Sequence, residues 1–153
     1  MTFVQDSEAV DVKTEGARLR HSSAFAPEGA NINFVQRLAD GRLRIRTFEK
    51  GVESETLACG TGITAAAIIE SLYSAGAGIN ASAEEETESK TGDETGTIEG
   101  HGKGAAEGYA TEAVNRFRCR ILARCAELSV DFFIDAHKRP HKVFLTGPAE
   151  KIR

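Results

Sequence analysis

Cys59 carries the strongest chemical signal in the sequence, because it stands where a helix is expected to begin. The residues around it read E-T-L-A-C-G-T-G and run into an Ala-rich stretch that favours helix. Glycines allow a tight turn, so that free N–H groups at Gly60, Thr61 and Gly62 face the thiol from the positive end of the helix dipole. A thiolate is stabilised in such a place. The pattern predicts a cysteine that can remove a proton, beside a turn that can bind a carboxylate.

Three blocks of the sequence resemble the C-terminal half of diaminopimelate epimerases. The central block, residues 49–62, reads E-K-G-V-E-S-E-T-L-A-C-G-T-G, where the family has E-R-G-V-x-E-T-L-A-C-G-T-G. The other blocks are residues 25–36 and 143–150. The resemblance implies an α+β fold with a mixed or antiparallel sheet wrapped around a central helix. It also implies a cofactor-independent isomerase that converts LL- to meso-diaminopimelate in lysine and cell-wall precursor synthesis.

The same resemblance implies roles for individual residues. Family members use two cysteines on opposite faces of the substrate Cα, and Cys59 matches one of them. Glu49 matches a residue that binds the substrate ammonium group, and Asn31 matches one that touches the substrate's distal end. Lys50 stands where the family usually has arginine, whose planar fork can grip a carboxylate bidentately. The expected catalytic residue is therefore Cys59, and the expected substrate-binding residues are Asn31, Glu49, Lys50, Gly60 and Thr61.

The family's other catalytic cysteine has no counterpart in this chain. It lies in a C-G-N-G-type segment of an N-terminal domain, and the 153 residues contain no such segment. Cys119 falls inside a strand-like run and Cys125 at an expected hairpin turn, so neither has a helix-start environment. We expect the chain alone to be inactive and its partner to be the missing N-terminal half-domain, which was removed, is encoded separately or has been lost.

Two other interpretations fit the same residues. One is a non-catalytic remnant or interaction module of the same fold, which binds an amino acid, a separate half or a second copy of itself in a homodimer. The other is half of a proline racemase-like isomerase, although the E-T-L-A-C-G-T-G segment favours the epimerase.

Composition limits the number of domains, the classes of partner and the cellular location that we expect for this chain. The chain is 41% hydrophobic, which suits one globular domain over residues 1–153. A formal charge of −4 argues against nucleic-acid binding, and the three arginines at positions 42, 44 and 46 are interpreted as a solvated strand face. No apolar run approaches the roughly 20 residues that a membrane span needs. Three cysteines in no zinc-ligand spacing predict no metal and a reducing, cytoplasmic location.

The expected elements place Cys59 between a hairpin and a helix. Residues 34–47 predict a β-hairpin with its turn at Asp40–Gly41, which leads to Glu49. A helix is expected from Thr61 to about Ala75, buried on most sides because it is nearly all apolar. Residues from about 76 to 112 are rich in Gly and Glu and predict a flexible insert. Strands are expected at residues 1–4, 116–124, 127–134 and 143–146.

Overall fold

A computed structural model describes residues 1–76 and 115–148, so the expected insert falls, except for Gly76, outside the described residues. The elements in chain order are β1 (Thr2–Val4), α1 (Val12–Arg20), β2 (Ile32–Arg37), β3 (Leu43–Glu49), β4 (Ser54–Thr56), α2 (Gly60–Gly76), β5 (Asn115–Leu122), β6 (Glu127–Ile134) and β7 (Pro140–Thr146).

The described strands form one mixed sheet in the order β1-β2-β3-β5-β6-β7, with β4 paired to β3. The pairs β1/β2 and β3/β5 are parallel, and the remaining pairs are antiparallel. This arrangement of helices and mixed sheet confirms the predicted α+β class.

The predicted hairpin is present as β2 and β3. Val35 lies opposite Ile45, and the turn closes through a hydrogen bond from the Leu38 N–H to the Arg42 carbonyl at 2.8 Å. Gly41 has a φ of 80°, a conformation that favours glycine and explains the Asp-Gly signal. The hairpin delivers Glu49 as the last residue of β3.

The two helices lie on opposite faces of the central strands, because alternate residues of β2 and β3 pack against different helices. On one face α2 contributes buried Ile63, Ala66 and Ala67 to a cluster with Val35 and Ile45. On the other face α1 packs its Val12 with a second set of buried residues, which are Ile32, Phe34 and Phe48.

Helix α1 is absent from the sequence-based prediction. Its start signal is Asp11, whose carboxylate accepts a hydrogen bond from the Thr14 N–H at 3.1 Å. Gly16 sits mid-helix and weakens the helical pattern, yet the packing requires it, since a Cβ there would overlap the side chain of Phe48. Helix α1 can therefore approach β3 only because residue 16 is glycine, and the same glycine makes the helix hard to predict from sequence.

Helix α2 begins at Gly60, one residue before the predicted start, and ends at Gly76. Its sheet-facing side is buried, but Ile69 and Tyr73 are 43% and 65% exposed. The expectation of burial on most sides is therefore wrong for this part of the helix.

The arginines of β3 also differ from expectation. Arg46 is only 11% exposed and forms a bidentate pair with Glu55 at 2.7 Å for each hydrogen bond. Its Nη1 donates further to the carbonyl oxygens of Ser7 and Val10, both at 2.9 Å. The interpretation of a solvated face is wrong at Arg46, which joins the segment before α1 to the sheet.

Candidate active site

Cys59 occupies the N-cap position of α2. Its carbonyl accepts the first hydrogen bond of the helix, from the Ile63 N–H at 2.9 Å. The N–H groups of Gly60, Thr61 and Gly62 precede that bond and are the free donors of a helix start. The prediction that Cys59 stands at the start of a helix is confirmed, and its side chain is buried, with 7% exposure.

The Cys59 sulfur has two polar neighbours. The Asn31 Nδ2 group donates a hydrogen bond to Sγ at 3.4 Å, and the Thr61 hydroxyl lies 3.4 Å from the same atom. Asn31 comes from the loop before β2, so two separate segments meet at the thiol. Asn31 is thus the side chain that joins the thiol to the loop before β2.

Glu49 ends β3, and Lys50 begins the turn between β3 and β4. The backbone of this turn is tightly closed, because the Glu53 N–H donates to the Glu49 carbonyl at 2.9 Å. The Lys50 N–H donates to Asn31 Oδ1 at 2.8 Å, while the Lys50 side chain is exposed. The Asn31 side chain therefore binds the Lys50 backbone through its oxygen and the Cys59 sulfur through its nitrogen. Three of the predicted site residues, Asn31, Lys50 and Cys59, thus meet at the Asn31 amide.

The lack of a side chain at Gly62 lets the start of α2 lie close to Asn33 of β2. A Cβ at Gly62 would overlap Asn33 Oδ1, which already accepts a hydrogen bond from the buried Thr47 hydroxyl at 2.7 Å. At Gly60, by contrast, the one described atom that a Cβ would meet is Leu145 Cδ2, at 3.4 Å. The buried Asn33–Thr47 pair was missed in the sequence, although Asn33 stands only two positions after Asn31.

The other two cysteines have different surroundings. Cys119 lies in β5 among buried apolar residues, and burial, assisted by the charge of Glu70, raises the pKa of its thiol to about 11. Cys125 is exposed in the turn between β5 and β6. The polar contacts of the Cys59 sulfur come from Asn31 and Thr61 and not, among the described residues, from either of these cysteines.

Comparison with known proteins places these residues in a family. The model of the diaminopimelate epimerase family matches residues 1–116, which include every predicted site residue. The chain belongs to the diaminopimelate epimerase family. The matched range ends before the block at residues 143–150 that also resembles the family.

Individual diaminopimelate epimerases match the chain over shorter stretches. Identity is 49% over 69 residues with the enzyme of Chlorobaculum tepidum, 51% over 69 residues with that of Aquifex aeolicus, and 54% over 65 residues with that of Gemmatimonas aurantiaca. These stretches are 45%, 45% and 42% of this chain, and 27%, 25% and 24% of the respective relatives. The chain thus spans about a quarter of the length of the curated relatives that it matches.

The described residues offer neither a metal site nor a membrane-spanning helix. Residues 1–76 and 115–148 contain no group of three or more His, Cys, Asp or Glu side chains placed to hold a metal ion. None of the helices in these ranges has the length and apolar character needed to cross a membrane.

Proposed function

We propose that this chain is the C-terminal half of a cofactor-independent diaminopimelate epimerase, with Cys59 as one of its two thiol acid/bases. The observation that carries the proposal is the position of Cys59 at the N-cap of α2, with the Asn31 amide donating to its sulfur. Both residues lie within the segment that matches the family. The substrate class follows from the names of the relatives.

In the proposed half-reaction, the Cys59 thiolate takes the Cα proton of diaminopimelate. The C–H bond breaks, its electron pair stays on Cα, and the negative charge spreads into the neighbouring carboxylate. The N–H groups of Gly60, Thr61 and Gly62 would bind that carboxylate and stabilise the charge as it develops. Inversion is complete when a second acid on the opposite face supplies a proton to Cα, which leaves Cys59 as the thiol.

The neighbouring loops supply the proposed substrate contacts. Glu49 would bind the substrate ammonium group, and Lys50 would contribute a flexible positive charge where the family usually has a guanidinium fork. The side-chain amide of Asn31 has two N–H donors, of which one is directed at Cys59 Sγ. The second would remain for the substrate.

The second acid is proposed to come from the N-terminal half of the enzyme. Cys119 is a poor candidate, because burial raises the pKa of its thiol to about 11 and the residue points into the core. Cys125 is exposed on a turn and does not stand at a helix start, although the neighbouring Arg124 N–H donates to the carbonyl of Leu57, two residues before Cys59. All three cysteines are free thiols, which supports a reducing compartment, and we place the protein in the cytoplasm on that basis.

A reconstitution assay tests the proposal. LL-to-meso conversion is measured with this chain alone, with a separately expressed N-terminal half that carries the family's first cysteine, and with both together. We expect conversion only when both halves are present, because general acid–base catalysis needs each group within hydrogen-bond reach of the reacting atom. Conversion by this chain alone would overturn the two-half proposal. If the two halves fold but do not convert the substrate when mixed, the chain is better explained as a non-catalytic module.

A further inference from the structure

We infer that Arg20 is a positioning residue, which holds the loop carrying Asn31 and the turn carrying Lys50 in register with each other. It acts through Glu53 on one loop and through Gly29 on the other. The importance of these loops for catalysis rests on the proposed function, whereas the contacts themselves do not.

Helix α1 places Arg20 beyond the end of β3. Gly16 sits directly on Phe48, the residue before Glu49, and its lack of a side chain lets the helix approach the strand. Arg20 is four residues later and therefore lies on the same face of the helix, one turn further on. Its side chain reaches the turn that follows β3.

One edge of the Arg20 guanidinium binds that turn. Nε donates to Glu53 Oε2 at 2.7 Å and Nη2 lies 2.6 Å from Oε1, which is a bidentate pair. The same carboxylate accepts the Gly51 N–H at 2.9 Å, and Glu53 has a φ of 56°, which is rare for a residue with a side chain. The Gly51 N–H and, secondly, the Arg20 guanidinium hold the pKa of Glu53 below its usual range. The carboxylate thus closes the turn, and Arg20 fixes the carboxylate.

The other edge of the guanidinium packs against the loop before β2. Gly29 has a φ of 68°, and a Cβ at this position would lie 2.6 Å from Arg20 Nη1. Nη1 is buried and has no hydrogen-bond partner among the described residues, so this edge contacts the loop through packing alone. The Arg20 side chain is only 13% exposed, so the two loops, rather than solvent, surround both edges of its guanidinium.

These contacts reach the thiol through Asn31. Gly29 lies two residues before Asn31, and Gly51 follows Lys50, whose N–H binds Asn31 Oδ1. Asn31 can donate to Cys59 Sγ only while both loops keep their separation. Arg20 lies between the two loops and sets that separation without contacting the thiol.

Amide hydrogen exchange in Arg20→Gln tests the inference without using catalysis. We expect exchange at Lys50 and Gly51 to become about fivefold faster, the effect of losing one ordinary hydrogen bond. Exchange at the buried residues Val35 and Ile45 should change less. Arg18→Gln is the matched control, because Arg18 carries the same charge on the same helix but pairs with exposed Glu15. A merely structural role would raise exchange at all four sites equally, and either that result or unchanged exchange at Lys50 and Gly51 would overturn the inference.

Two further variants keep the test decisive if Arg20→Gln folds poorly. Glu53→Gln removes the charge at a half-exposed site and should accelerate exchange at the same two amides. The double variant of Arg20→Gln and Glu53→Gln should exchange no faster than Arg20→Gln alone, because both changes break the same ion pair. Additive effects in the double variant would contradict a shared mechanism.

Discussion

Asn31 donates a side-chain hydrogen bond to the Cys59 sulfur at 3.4 Å, although the two residues are 28 positions apart in the chain. The contact joins the loop before β2 to the N-terminus of α2 and brings a neutral donor to the thiol. Its consequence is that the chemistry of Cys59 depends on residues outside its own motif.

Replacement of Asn31 by aspartate tests this contact. The carboxylate of Asn31→Asp keeps an acceptor for the Lys50 N–H but places a negative charge, in place of a donor, beside the sulfur. We expect alkylation of Cys59 at neutral pH to become about tenfold slower, because a carboxylate beside the sulfur repels the anion that reacts. Peptide mass spectrometry measures this rate against that of exposed Cys125 in the same molecule. An unchanged or faster rate at Cys59 would show that the side chain at position 31 does not influence the reacting sulfur.

The two glycines of the cysteine motif should respond differently to alanine. Gly62→Ala would force a Cβ onto Asn33 Oδ1, and we expect it to lower the free energy of unfolding by about 2 kcal/mol. Within the described part of the chain, Gly60→Ala meets only Leu145 Cδ2 at 3.4 Å and should change that free energy by less than about 0.5 kcal/mol. Urea denaturation of the two variants makes the comparison. Equal losses would mean that the contact with Asn33 does not limit this position.

The arginines of β3 provide a matched pair for stability. Arg46→Met breaks the bidentate pair with Glu55 and two hydrogen bonds to backbone carbonyls, so we expect a loss of about 2 kcal/mol. Among the described residues, Arg44→Met removes only a 3.9 Å contact with Glu8, and its cost should stay below about 1 kcal/mol. Thermal and urea unfolding of both variants test the difference. A larger loss for Arg44→Met would contradict the assigned role of Arg46.

The Arg46 pair also predicts a dependence on acid. The Arg46 guanidinium holds the pKa of Glu55 below its usual value of 4.5, so the stabilisation is present above that pH and is lost as the pH falls through the lowered pKa. The stability difference between the natural chain and Arg46→Met should therefore shrink below about pH 4.5. A difference that stays constant down to strongly acidic pH would argue against an ionic contribution.

Cys119 predicts a loss of stability in alkali. Burial raises the pKa of its thiol from about 9 to about 11, so the folded state disfavours the thiolate that the unfolded chain forms. Stability is therefore complete below pH 9 and falls as the pH rises toward 11, by about 3 kcal/mol at 1.36 kcal/mol per unit. Cys119→Ala lacks this loss, and urea titrations of both chains from pH 8 to 11 measure the difference. Parallel pH profiles would mean that the buried thiol titrates normally.

Much of the local structure follows from short-range signals in the sequence. The Asp-Gly dipeptide at positions 40 and 41 predicts the hairpin turn. The turn needs a positive φ, and Gly41 has a φ of 80°. The glycines after Cys59 and the Ala-rich run predict the start of α2 to within one residue. In both cases the signal and the structure it specifies lie within a few residues of each other.

Long-range contacts could not be predicted in this way. Helix α1 has a glycine at its centre because of Phe48, which lies 32 positions later in the sequence. The Arg20–Glu53 pair joins residues 33 positions apart, and no periodicity relates them. The Asn31 amide could be placed near the substrate by family resemblance, but its contact with the thiol became evident only from the packed structure.

Epimerisation in D₂O by the reconstituted pair of halves tests the role of Cys59 most directly. Cys59→Ala should lower kcat, and with it the rate at which solvent deuterium enters Cα, by at least about 10²-fold, because the chain then lacks its positioned base. Cys119→Ala and Cys125→Ala, the matched controls, should retain normal turnover. If Cys59→Ala keeps normal turnover and deuterium incorporation, Cys59 is not the acid/base of this protein.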